Sequence, residues 1–139
     1  FKLGFNLKRN NEKHGSNICF SPIVMTENLI NKPTSRRWFP LGGLQKFVGS
    51  IHNSSFLIKN RIEESLYSLE FINHEGETFI RNLNLLPNAS IFINPSSDPE
   101  LKLFLGNKGG WCMVTAQTYC VNAYYFSMSG RLIGGDHAF

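Results

Sequence analysis

The stretch from Tyr67 to Leu85 constrains the fold more than any other part of the chain. Tyr67, Leu69 and Phe71 alternate with Ser68 and Glu70. After His74-Glu75-Gly76-Glu77, the residues Phe79, Arg81, Leu83 and Leu85 alternate with Ile80, Asn82 and Asn84. A period of two sends successive side chains to opposite faces of a strand, and a short polar link containing glycine joins two such strands into a hairpin. A lone hairpin is barely stable in water, so further strands are expected around this one.

The rest of the chain keeps the same short beat. Lys2 to Leu7 and Asn17 to Phe20 flank a turn-rich stretch and read as a hairpin or as a helix followed by a strand. Ile91 to Ile93 and Leu101 to Leu105 read as short strands on either side of Pro95-Ser96-Ser97-Asp98-Pro99. Trp111 to Met128 reads as one long strand or as two meeting near Ala116-Gln117. Between Pro33 and Pro40 the sequence Thr34-Ser35-Arg36-Arg37-Trp38-Phe39 reads as a loop, because proline excludes a regular helix there. Helix is expected only as a turn or two around Arg61 to Leu66.

The expectation is a mainly antiparallel all-β fold, a β-sandwich or barrel with at most one or two short helices. The length of 139 residues fits a single domain, 1–139. Alternating βα units would need amphipathic helices of ten residues or more, which the pattern lacks, and this argues against a Rossmann-type enzyme. Apolar runs are far below the roughly 20 residues of a membrane-spanning helix. The chain does not start with Met, which reads as a processed or trimmed start and leaves the compartment open.

Charge is lopsided along the chain. Up to Arg61, ten Lys or Arg face Glu12 and Glu27, a net of +8, and from Ile62 onward the balance is −4. If Lys8, Arg9, Lys13, Arg36 and Arg37 converge, they form a basic surface able to meet phosphate or an acidic partner. Otherwise they are a solvated face.

Aromatic residues beside arginine supply the ligand-binding candidates: Arg36, Arg37 and Trp38 in the proline-bracketed segment, and Trp111, Tyr124 and Tyr125 toward the end. Trp and Tyr stack on sugar rings or bases, and Arg takes an anion beside them. Against that, alternating aromatics in a strand more often build core, which is the weightier reading for Trp111. For Trp38, with charged neighbours, exposure and core balance.

No cofactor or metal is expected. The four histidines, His14, His52, His74 and His137, lack ligand spacing. Glu63-Glu64 and Glu75-x-Glu77 flank polar segments, where water keeps carboxylates ordinary. Of the three cysteines, Cys112 and Cys120 are candidates for a disulfide across a hairpin, while Cys19 reads as a small buried residue. Asn53 and Asn88 open Asn-x-Ser triplets in expected loops and are the candidate N-glycosylation sites of a secreted chain.

Three short words resemble family motifs. Ser16-Asn17-Ile18-Cys19-Phe20-Ser21-Pro22 is similar to an opening segment of serpins. Gly106-Asn107-Lys108-Gly109-Gly110 with Cys120-Val121-Asn122 resembles a region of inositol polyphosphate phosphatases, with Tyr124 where that family has histidine. Gly134-Gly135-Asp136-His137 resembles a metal-binding word of arginases and agmatinases. These imply three mutually incompatible folds, so none supplies a function.

The leading expectation is therefore a non-enzymatic recognition module that binds carbohydrate or a protein partner through loops and one aromatic face. A nucleic-acid-binding or assembly subunit using the basic first half is the alternative. A hydrolase built from scattered His and carboxylates comes second to that. Unpaired strand edges open a route to homo-oligomers.

Overall fold

The computed structural model describes residues 3–7, 16–20, 35–53, 65–117, 121–129 and 134–138, the first two stretches as backbone only. The strands are β1 (Leu3–Leu7), β2 (Ser16–Phe20), β3 (Ser35–Leu41), β4 (Phe47–Asn53), β5 (Ser65–Asn73), β6 (Thr78–Leu85) and β7 (Ser90–Ile93). A 3-10 turn, Pro95–Ser97, and one α-helix, α1 (Pro99–Leu105), precede β8 (Gly110–Ala116), β9 (Val121–Ser127) and β10 (Gly134–His137). All ladders are antiparallel. One sheet runs β3-β8-β5-β6, a second runs β10-β9-β4-β7, and β1 pairs with β2. The all-β expectation holds, and the form is a sandwich.

Alternation places Phe39, Leu41, Tyr67, Leu69, Phe71, Cys112, Val114 and Ala116 on the inner side of the first sheet. Ile51, Val121 and Ala123 face them from the second, and all are buried in one cluster. The central hairpin forms as read. Asn73 Oδ1 accepts from the N–H groups of Glu75 and Glu77, at 3.0 and 2.9 Å, and Gly76 takes a left-handed φ of 85°, which completes a three-residue hairpin loop. The segment after Gly110 is two strands, as one of the two readings had it.

Two expectations are corrected. Leu101 to Leu105 is helix, not strand. Asp98 caps it by accepting from Leu101 N–H at 3.0 Å, Pro99 opens the first turn, and Gly106 follows the last residue. Leu101 and Leu105, four residues apart, are both buried, each worth about 1.5–3 kcal/mol of burial. The second correction concerns the proline-bracketed segment, which is strand β3. Pro40 is tolerated because β3 pairs with β8 alone among the described residues and so lies at a sheet edge. The helical turn expected near Arg61 falls mostly outside the described residues, and Ser65 and Leu66 already belong to β5.

Candidate functional site

The side of the first sheet that faces away from the second is built by the residues alternate to the core. β3 contributes Arg36, Trp38 and Pro40, and β8 contributes Trp111, Met113 and Thr115. β5 supplies Ser68, Glu70 and Ile72, and β6 supplies Thr78, Ile80 and Asn82. Register aligns them in rows: Pro40, Trp111, Ile72 and Thr78 in one, Trp38, Met113, Glu70 and Ile80 in the next, and Arg36, Thr115, Ser68 and Asn82 in the third. The first two rows are mainly apolar, with Thr78 and Glu70 as their polar members, and the third is polar.

Trp38 and Trp111 are diagonal neighbours across the β3–β8 ladder. Their ring centroids stand 5.0 Å apart at an interplanar angle of 63°, an edge-to-face contact of the kind that holds both rings in place. Trp38 keeps 40% of its surface exposed and Trp111 45%. The core reading of Trp111 is thus overturned, because in β8 it is Cys112 and Val114 that point inward.

At one end of the sandwich a cleft of about 840 Å³ opens between three connections: the β3–β4 turn, the β5–β6 turn and the link from α1 to β8. Its lining includes Leu44, His74 and Lys108, together with Pro40 and Trp111. The last two also belong to the aromatic face, so cleft and face are continuous. The floor is backbone packed on backbone. Gly109, at φ 72°, would place a Cβ 2.5 Å from Gly43 N and Leu41 O, so no other residue fits there.

The expected site residues separate into distinct places. Arg36 is exposed on the aromatic face. Arg37 lies on the opposite side of β3, half-buried, with Nη1 donating to Arg36 O at 2.9 Å. Tyr124 and Tyr125 sit on β9, in the other sheet, so they do not share a face with Trp111, with which the sequence reading grouped them. Tyr125 packs edge-on against Phe47, with centroids 5.8 Å apart. Burial, followed by the charge of Asp136, pushes its hydroxyl above the ordinary tyrosine pKa, and burial alone does so for Tyr124.

Asn53 is not in a loop. It ends β4 wholly buried, and its Nδ2 donates to Leu85 O at 2.9 Å, which leaves no room for a sugar on that nitrogen. Asn88 does lie on an exposed turn, at φ 64°. Cys112 is a free, buried thiol, and its candidate partner Cys120 lies outside the described residues. Of the ten basic residues up to Arg61, only Arg36, Arg37 and Lys46 are described.

The histidines are dispersed. His74 borders the cleft with Glu75 3.5 Å away, while His52 and His137 belong to the second sheet, and His14 lies outside the described residues. Among the described residues no group of three His, Cys, Asp or Glu is placed to hold a metal ion.

Sequence reasoning missed Met113, Glu70, Ile72 and Ile80 as members of the face. Their signal was the alternation itself, since once Tyr67, Leu69 and Phe71 are inward, the residues between them must face out. No protein-family model, curated protein or solved structure matches the chain.

Proposed function

We propose that this protein is a non-enzymatic recognition module that binds a carbohydrate chain along the outer face of the β3-β8-β5-β6 sheet and into the adjoining cleft. The observation that carries the reading is the exposed Trp38–Trp111 pair, two indoles fixed against one another on a sheet surface. Exposed indole is costly in water and matches the C–H faces of pyranose rings. Arg36 lies beside Trp38 on the same side of β3, and Ser68, Glu70 and Asn82 extend the face across β5 and β6 with donors and acceptors for hydroxyl groups. These polar residues interrupt the apolar area, which suits a hydroxylated ligand better than the continuous apolar core of a protein interface.

The test is a titration of intrinsic tryptophan fluorescence, with calorimetry alongside, against a panel of soluble oligo- and polysaccharides. Trp38→Ala and Trp111→Ala should each weaken binding by about tenfold or more, with the melting transition kept. The reading is overturned if no saccharide binds, or if binding ignores both substitutions. It is also overturned if single-stranded nucleic acid binds instead, with the steep salt dependence of phosphate contacts.

A secreted location accompanies this reading. The exposed turn at Asn88 accommodates an N-linked glycan, and the intact mass of the natively produced chain before and after glycan removal tests it.

A further inference from the structure

The geometry points to the shape of the saccharide, an inference that rests on the carbohydrate reading above. The chain bound across Trp38 and Trp111 is a soluble one whose ring plane turns from each sugar residue to the next, and not a flat ribbon or the surface of a crystalline polysaccharide. The two indoles are inclined to one another by 63°, with centroids 5.0 Å apart. A sugar stacks on an aromatic ring by laying its C–H face parallel to it, because the attraction is largely dispersion and weakens sharply with any added gap. A planar ligand therefore lies parallel to one of these rings only.

Both rings are nevertheless open, at 40% and 45% exposure, and their edge-to-face packing keeps either from swinging level with the other. At that separation they reach one sugar residue or two adjoining ones, and not the well-spaced repeats of a long ribbon. A chain that turns between adjoining residues offers each indole a parallel C–H face, whereas a flat chain offers both the same plane.

The surroundings bear on the same point. Neighbouring strands of a sheet rotate by roughly 20–25°, so the outer face from β3 to β6 is curved. Next to Pro40 and Trp111 the surface falls away into the cleft of about 840 Å³, which a bent chain can enter and a crystalline surface cannot. Among the described residues, the rows on the outer side of β5 and β6 carry no further aromatic side chain that would extend the two indoles into a flat platform.

Soluble hexasaccharides test this by tryptophan fluorescence and calorimetry: maltohexaose and laminarihexaose, whose chains turn, against cellohexaose and chitohexaose, whose chains run flat. Depletion by microcrystalline cellulose and by chitin supplies the flat surface. The expected result is binding to at least one turning chain about tenfold or more tighter than to either flat one, no depletion by either solid, and loss of that binding in Trp38→Ala and in Trp111→Ala. Equal or tighter binding to a flat hexasaccharide, or adsorption to either solid, overturns this inference and leaves the carbohydrate reading standing. Failure of all the hexasaccharides overturns it too, and the wider saccharide panel then decides whether the carbohydrate reading falls with it. Binding of a turning chain that ignores both substitutions puts the ligand elsewhere and overturns both.

Discussion

Arg81 and Asp98, seventeen residues apart, join the edge strand of one sheet to the start of the only helix among the described residues. Asp98 accepts from the guanidinium through both carboxylate oxygens, and one of these oxygens also accepts from Leu101 N–H at 3.0 Å. The hydrogen bonds from Arg81 hold its carboxyl below the usual carboxylate range. Helix α1 contributes Leu101 and Leu105 to the core, so loosening its first turn loosens the end of the sandwich.

Asp98→Ala removes cap and ion pair together and should cost about 1–2 kcal/mol. Asp98→Asn keeps an acceptor for Leu101 N–H and should cost less. Because the folded-state value is lowered, the contribution of the carboxylate is complete above the unfolded value of about 3.9 and is lost as pH falls through the folded one. Denaturant melts across that acid range should therefore show the parent protein losing more stability than Asp98→Asn.

Gly49 on β4 lies against the ring of Phe39 on β3, and a Cβ built at Gly49 would enter that ring. Gly49→Ala should destabilise by about 1–3 kcal/mol through overpacking, against a gain of under about 1 kcal/mol from restricting the unfolded chain. Phe39→Leu alone also costs stability by leaving space. The double variant should be more stable than the sum of the two changes predicts, and a double-mutant cycle by urea denaturation measures that coupling.

The strand beat was legible because period-two alternation is local, and the core positions Tyr67, Leu69 and Phe71 follow from it directly. The helix at Pro99 was equally written in the sequence. Asp98, Pro99, Glu100 and Gly106 are start and stop signals, but Leu101, Leu103 and Leu105 also alternate, so the segment carries both periods. Leu103 is 86% exposed, which fits a helix that buries positions four apart and not a strand that buries every second one. The aromatic face was half legible. Trp38 and Trp111 are 73 residues apart in sequence and meet only through the β3–β8 pairing, which no local pattern encodes. Tyr124 and Tyr125 resemble them in composition, and only the order of strands within each sheet separates them.

Cys112 has its sulfur in the core, opposite Phe39 on one side and Phe71 on the other. Burial pushes its thiol far above the ordinary range, so the reactive thiolate is scarce at any neutral pH. Alkylation of the native protein at mildly alkaline pH, followed by peptide mapping, should leave Cys112 unmodified, and the same treatment in denaturant should label it fully. Ready labelling in the native state would mean that the strands around it open.

His52 faces out from β4, with Nδ1 2.7 Å from Ser90 Oγ on β7. Partial burial lowers its pKa below the ordinary value. In the interval between the folded value and about 6.5, the unfolded chain holds more protons than the folded one, so stability rises with pH there and is fully present above it. Acidification through that interval should weaken the fold. His52→Asn, which keeps a polar group near Ser90 but cannot titrate, should flatten this part of the pH profile without moving the acid loss assigned to Asp98. A proton titration of the His52 ring signal by NMR gives the folded value directly. A midpoint at or above the ordinary histidine value would overturn the prediction, because the stability slope requires the folded form to be the weaker base.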